Sequence, residues 1–349
     1  MCTALSLNNK KTFLFGRNMD IEAGFGQQVV ITPRNFTLPL RFNKPVKQKY
    51  ATIGMAYPFP DQENGGIVYP LYAEAANEKG LAVAGLNFPG TAHYPKPGSI
   101  KKAFELTPFE IIPYLLSQFT TTKEVKKFIE SKNMQLVDRA IMKQLPVAPL
   151  HFIVADKNNE SIVIEPTKDG LNVHDNPLGI LTNNPTFDWQ ITNLSFYANL
   201  KQKQSTDAKW DAQDLKPFGQ GFGSFSLPGD WTPPSRFVKT AYLKSHSAEE
   251  QETDKLVTQF FHILDNVSMV KGGIIVEQMG GDGKMHEHYD ITLYASCIDL
   301  NTGTYYYKSY DNNQIQMIKL SNEGKALDGK EVIVYPFSVT QAFNEVNKK

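Results

Sequence analysis

Three side chains near the start of the chain have the types and spacing to do chemistry: Cys2, Arg17 and Asp20. Cysteine at position 2 is small enough for methionine aminopeptidase to remove Met1, leaving a first residue with both a thiol and a free α-amine. A thiol of ordinary pKa about 8.5 beside an amine of about 7.7–8.0 is a nucleophile with its own general base attached. A guanidinium near the sulfur favours thiolate, the role open to Arg17. A carboxylate such as Asp20 can hold the ammonium in place.

On Cys2 alone the ordinary reading is a frayed terminus. The elements that follow argue for a fixed one. Leu5 to Leu7 and Thr12 to Phe15 read as two short strands around the polar turn Asn8-Asn9-Lys10-Lys11. The second strand is expected to end at Gly16, so that Arg17 and Asp20 curl back toward the start of the first.

Further strands are predicted at 29–32, 51–55 and 81–86, and helices at 107–119 and 122–131, the latter with a Thr cap followed by Glu124. Pro113 should bend or restart the first helix. Residues 150–156 and 161–165 read as a hairpin apolar on nearly every position, hence covered on both faces, with 172–174 and 179–182 continuing its sheet. A helix spaced on Phe187, Ile191, Leu194 and Tyr197 follows, then another over 254–267. Four late strands are expected at 291–298, 304–310, 315–320 and 332–335. Strand blocks interrupted by helix pairs fit a layered α+β protein.

The runs Met1-Cys2-Thr3 and Phe15-Gly16-Arg17-Asn18-Met19-Asp20 resemble the choloylglycine hydrolase family of N-terminal nucleophile hydrolases, which contains bile salt hydrolases and penicillin V acylases. The resemblance extends over essentially the whole chain. It implies a four-layer αββα sandwich, two sheets face to face between helical layers.

The resemblance also implies roles for later residues. In Gly85-Leu86-Asn87-Phe88-Pro89, Asn87 matches a position whose backbone N–H helps form the oxyanion hole. Bile salt hydrolases typically have Asn there and penicillin V acylases Tyr. By pattern alone the same run is a strand with a polar end. In Leu181-Thr182-Asn183-Asn184-Pro185, Asn183 matches the side-chain oxyanion donor, a neutral group that can lower a barrier by about 3 kcal/mol. Without the family it is an Asn closing a strand. Arg236, after Thr232-Pro233-Pro234-Ser235, matches a second active-site arginine beside Asp20 or the thiol; a lone Arg after a proline turn is otherwise a surface charge. Met19, Phe25, Ala73, Ile141 and Leu145 match the walls of an apolar pocket suited to a steroid. Gly219-Gln220-Gly221 resembles members favouring glycine conjugates. Relative to the family, the chain carries an insertion around Pro58 to Gly66, and the resemblance implies that this loop borders the substrate mouth.

Other features point elsewhere only weakly. His286-Glu287-His288 has metal-ligand residue types but sits after the Gly-rich run Gly280-Gly281-Asp282-Gly283 and reads as a solvated loop. Gly283-Lys284-Met285 lacks the Ser or Thr of a phosphate-binding loop. Cys297 lies in an apolar strand and reads as a small buried hydrophobe.

Composition narrows the classes further. The 349 residues show no linker or repeat, and one domain over 1–349 is expected. Lys+Arg 36 against Asp+Glu 36 leaves no net charge, which disfavours a nucleic-acid partner. Two cysteines cannot build a disulfide framework, and no apolar run approaches about 20 residues. A cytoplasmic protein with no membrane partner is expected, and the resemblance adds a homotetramer. The chemistry asks for no metal and no cofactor.

The reading is therefore amide hydrolysis of glycine- and taurine-conjugated bile salts through a Cys2 thioester. Two alternatives share the fold: an acylase for penicillin V or another N-acyl amide, and a silent binding relative that keeps Met1. A thiol redox protein is disfavoured, since only Cys297 is present to resolve a Cys2 disulfide.

Overall fold

The computed structural model describes residues 1–142, 146–204 and 206–347. The N-terminal hairpin, β1 (Cys2–Asn8) and β2 (Phe13–Ile21), is antiparallel and sets Cys2 opposite Met19 and Ala4 opposite Arg17. Thus β2 does not stop at Gly16 as expected. It runs through Ile21 because a late strand, Ile291–Asp299, pairs along its other edge, from Ile291 opposite Ile21 to Asp299 opposite Leu14. Arg17 and Asp20 are strand residues, and alternation rather than a turn decides where they point.

The remaining strands of the two large sheets are β3 (Gln28–Thr32), β4 (Thr52–Asp61), β5 (Ile67–Asn77), β6 (Leu81–Asn87), β7 (Leu150–Asp156), β8 (Ser161–Thr167), β9 (Gly170–Asp175), β10 (Ile180–Leu181), β11 (Ile291–Asp299), β12 (Thr304–Ser309), β13 (Asn312–Lys319) and β14 (Ile333–Tyr335). One sheet has eight strands in the order β9-β8-β7-β6-β5-β4-β3-β14, and the other six in the order β10-β1-β2-β11-β12-β13. The stretch expected to be an insertion lies where the outer halves of β4 and β5 are joined by a short turn of 3-10 helix over Gln62–Asn64.

Among the described residues five α-helices complete the layers: α1 (Ile111–Gln118), α2 (Thr122–Lys132), α3 (Phe187–Leu194), α4 (Pro233–His246) and α5 (Thr253–Asp265). Pro113 lies in the first turn of α1, where its missing N–H costs nothing, so no bend is required. Thr121 caps α2 through a reciprocal box with Glu124.

Three apolar clusters define the stacking. Ile111, Leu115, Val125 and Ile129 of α1 and α2 pack with Val83, Val154 and Ile164 on the outer face of the eight-stranded sheet. Ala4, Phe15, Val29, Ile53, Ala84, Ile153 and Tyr294 fill the space between the sheets. Leu256, Phe260 and Leu264 of α5 cover Leu5, Leu7 and Leu14 on the outer face of the six-stranded sheet. The result is the four-layer αββα sandwich. Burial on both faces explains the unbroken apolar runs of β7 and β8.

Three further elements depart from the sequence expectation. Residues 180–181 do not extend the sheet containing β9; they pair with β1 in the other sheet, Ala4 facing Leu181. That crossing delivers the segment after Leu181 to the start of β1. Pro233 and Pro234 open a helix rather than a turn, since proline suits the first helical positions, and Arg236 rides in its first turn. Finally, His286-Glu287-His288 lies on a strand, Met285–Tyr289, of an exposed two-stranded hairpin with Ile275–Met279. Among the described residues no helix is long and apolar enough to cross a membrane.

Candidate active site

Residues opposite one another in an antiparallel pair share a face. Cys2, Ala4, Arg17 and Met19 therefore all project into the space between the sheets, with Arg17 diagonal to the thiol. Cys2 and Arg17 are both buried. Arg17 Nη2 donates to Cys2 Sγ and lies 3.6 Å from Met19 Sδ. Its Nη1 donates to the carbonyls of Gly85 and, at 3.3 Å, of Ala73. The register of β4 and β5 shifts between Met55 and Ala56, which face Glu74 and Tyr72, so Ala73 is the extra residue of a bulge. A bulge leaves a carbonyl outside the ladder, and here that carbonyl holds the guanidinium.

Behind Arg17 stands a carboxylate that the sequence did not reveal. Glu74 of β5 is fully buried, with Oε2 3.9 Å from Arg17 Nε. It accepts from the hydroxyl of Tyr294 at 2.8 Å and of Tyr305 at 2.6 Å, both from the facing sheet. Burial lifts the Glu74 carboxyl above its usual range, although Arg17 and the two hydroxyls oppose the rise. For Arg17, burial works downward, but the charges of Cys2, Tyr294, Glu74 and Asp20 outweigh it and the guanidinium is held above its ordinary value. Arg17 is thus a fixed cation at the sulfur.

The backbone of Cys2 is gripped from the helical side. Arg236 of α4, fully buried, donates to the Cys2 carbonyl, to Thr3 Oγ1 at 2.7 Å and, through Nη2, to Asn183 Oδ1 at 2.8 Å. Burial holds Arg236 below its ordinary value, with Asp20 and Cys2 pulling the other way. Asp20 accepts from Thr292 Oγ1 at 2.6 Å through Oδ1, while Oδ2 is buried without a hydrogen-bond partner, 4.0 Å from Arg236 Nη1. With Met1 in place, the terminal ammonium bonds instead to the Asp20 carbonyl and lies 3.7 Å from Asp290.

Asn183 sits two residues past β10, which brings it to the N-terminus of β1. Its Oδ1 accepts the Cys2 N–H at 2.9 Å and its Nδ2 donates to the Asn87 carbonyl at 2.7 Å, leaving one amide hydrogen. Asn87 ends β6 opposite Leu150, and both backbone groups of Leu150 turn to the Tyr94 hydroxyl instead. Phe88 N bonds Pro149 O at 2.7 Å, so by alternation the Asn87 N–H faces away from β7, where β5 no longer pairs. The Asn87 N–H and one Asn183 amide hydrogen are thereby left outside these pairings, and Asn183 itself bonds both the Cys2 backbone and the Asn87 carbonyl.

Of the expected pocket residues, Met19 and Phe25 are half-buried against the inter-sheet cluster that contains Cys2. Ala73 lies at the bulge. Ile141 packs against the cluster on the far face of the eight-stranded sheet, and the structure does not bring it to the thiol. Leu145 lies outside the described residues. Gly219, Gln220 and Gly221 are exposed.

The family model of linear amide C–N hydrolases, choloylglycine hydrolase family, matches residues 2–335. The bile salt hydrolase/transferase of Lactiplantibacillus plantarum is 44% identical over 347 residues, covering 99% of this chain and 100% of that protein. A solved structure of a mutant conjugated bile acid hydrolase from Clostridium perfringens superposes with a TM-score of 0.87 at 39% identity, covering 99% and 100%. Penicillin V acylase from Agrobacterium tumefaciens shares the fold, with a TM-score of 0.72 at 17% identity over 97% of this chain and 94% of that one. With a match spanning nearly its full length and a buried thiol at its second residue, the chain belongs to the choloylglycine hydrolase family of linear amide C–N hydrolases.

Proposed function

We propose that the protein is a bile salt hydrolase, cleaving the amide of glycine- and taurine-conjugated bile acids with Cys2 as nucleophile. The observation that carries this is the Cys2 thiol held by Arg17 on the inter-sheet face, in a chain 44% identical to a bile salt hydrolase/transferase along its whole length.

Removal of Met1 turns the Cys2 N–H into a primary amine, with Asn183 Oδ1 as one acceptor and Asp20 Oδ2, which has no hydrogen-bond partner among the described residues, available as another. The amine takes the thiol proton and the sulfur attacks the amide carbon. The carbonyl π pair moves to oxygen, where the N–H groups of Asn87 and Asn183 receive it. The ammonium protonates the departing glycine or taurine nitrogen, the C–N bond breaks and a thioester remains. Water, deprotonated by the same amine, releases the bile acid and restores the thiol. Arg17 favours the anionic sulfur, while Asp20 and Arg236 hold the amine and the first peptide in place.

Met19, Phe25 and the backbone at Ala73 supply the near walls for an apolar acyl group. A homotetramer fits the exposed aromatic rings of Phe196, Trp210, Phe218 and Phe225, which are 75–93% exposed in the single chain. Two free cysteines fit a cytoplasmic location.

The test is amine release from glycocholate, taurocholate and penicillin V in parallel. Higher kcat/KM on the two bile salts supports the reading; higher kcat/KM on penicillin V moves the assignment to an acylase with the same machinery.

A further inference from the structure

We infer that His151 and Glu165, which do not touch the thiol, are positioning residues that lock both oxyanion donors, Asn87 and Asn183, into register. The inference rests on the amide-hydrolysis reading above.

His151 lies on β7 opposite Leu86, and its ring stacks on Phe88 with centroids 4.1 Å apart and planes inclined by 8°. Asn87 sits between those two residues. The ring's Nε2 faces the carbonyl of Thr182 at 3.0 Å, and Asn183 is the next residue. One imidazole thus contacts the immediate neighbour of each donor. Its Nδ1 faces Glu165 Oε1 at 3.1 Å, and Glu165 accepts the Phe187 N–H at 3.0 and 3.2 Å, the first N–H of α3. The turn from Thr182 to Phe187, which contains Asn183, is therefore fastened at both ends by one imidazole–carboxylate pair. Gln190 Nε2, at 3.3 Å from the Asn184 carbonyl, supports it from α3.

Both ring nitrogens are engaged, Nδ1 with Glu165 Oε1 and Nε2 with the Thr182 carbonyl. His151, Glu165, Phe88 and Thr182 are all buried. Burying such a pair costs desolvation that the pairing only partly returns, so it is a poor source of stability. Its geometry instead fixes two N–H groups that must meet one developing oxygen. A misplacement of about 1 Å in such groups can cost about 100-fold in rate.

The experiment compares glycocholate turnover with alkylation of Cys2 by iodoacetamide, a reaction that uses the thiolate but forms no oxyanion. His151→Phe keeps the stacked ring and removes both hydrogen bonds; Glu165→Gln keeps an acceptor for Phe187 and removes the charge. The expected result is a kcat lower by roughly 10- to 100-fold, with KM within a few-fold and the alkylation rate near wild type. Should His151→Phe fail to fold, Glu165→Gln carries the same comparison. Unchanged kcat in the folded variants overturns the inference, and so does a parallel fall in kcat and alkylation, which marks a merely structural role. A wild type that alkylates yet releases no amine overturns the amide-hydrolysis reading beneath it.

Discussion

Asn183 Oδ1 accepts two hydrogen bonds, from Cys2 N–H at 2.9 Å and from Arg236 Nη2 at 2.8 Å. An oxygen so engaged leaves the amide nitrogen as the end that, in the proposed function, meets the substrate. Asn183→Asp keeps both accepted bonds and removes the donor. Its kcat on glycocholate should fall about 100- to 1,000-fold, the usual loss for one oxyanion donor, with a much smaller change in KM. Steady-state kinetics on the purified variant decide it, and a kcat within threefold of wild type would remove Asn183 from the mechanism.

Asp20 Oδ2 is buried, 4.0 Å from Arg236 Nη1, and has no hydrogen-bond partner among the described residues. If its partner is the Cys2 ammonium of the processed chain, Asp20→Asn weakens the hold on the general base. The expected outcome is a loss of at least about tenfold in kcat with the melting temperature nearly unchanged. A large drop in melting temperature with kcat preserved would assign Asp20 to the fold instead.

Glu74 sets the charge behind Arg17. Its carboxyl is raised by burial, so in the wild type it is neutral at low pH and charged above its elevated pKa. Glu74→Gln fixes the neutral state and leaves more of the Arg17 charge to the sulfur. The pH at which iodoacetamide alkylation of Cys2 reaches half its plateau should move down, by up to roughly one unit. The two proteins should converge at low pH, where Glu74 is protonated in the wild type. An upward shift would mean that Glu74 acts by holding Arg17 in place rather than through its charge.

The reach of the sequence is clear from these residues. Cys2, Arg17 and Asp20 were legible because a thiol at the second position is itself unusual chemistry, and Asn87, Asn183 and Arg236 only through the family resemblance. The αββα sandwich also came from that resemblance; the periodicities showed alternating strands and helices without saying how they stack. What local pattern misread, distant partners explain. Arg17, Asn18 and Asp20 look like a polar turn, yet they continue a strand because Glu74, α5 and Arg236 satisfy them from far along the chain. Residues 180–181 change sheets, and no local periodicity records a partner such as β1. Pro233-Pro234 looks like a turn, yet proline after Thr232 equally suits the first helical positions, and the pair opens α4. Glu74 gave no sign, because a lone acid in an apolar strand does not name its counter-charge.

Lys244 offers a test of the α4 packing. Burial pushes its ammonium down to about 8 from the ordinary 10.5, and Nζ contacts the Leu178 carbonyl and Ser6 Oγ. Between those two values the unfolded chain binds more protons than the folded one, so stability rises with pH through that window. Lys244 is only half-buried, so the effect is reduced. Lys244→Met lacks it, and the variant's advantage over wild type should shrink by about 1–2 kcal/mol between pH 7.5 and pH 10. Urea unfolding at the two pH values measures this; a difference independent of pH would show that the lysine stays charged in the fold.

The central claim is that Cys2 is the nucleophile. The most direct measurement is glycine release from glycocholate by Cys2→Ala beside wild type, with circular dichroism to show that the fold is kept. The account predicts release by the wild type and none above background by the folded variant. Release at the wild-type rate from folded Cys2→Ala would contradict it.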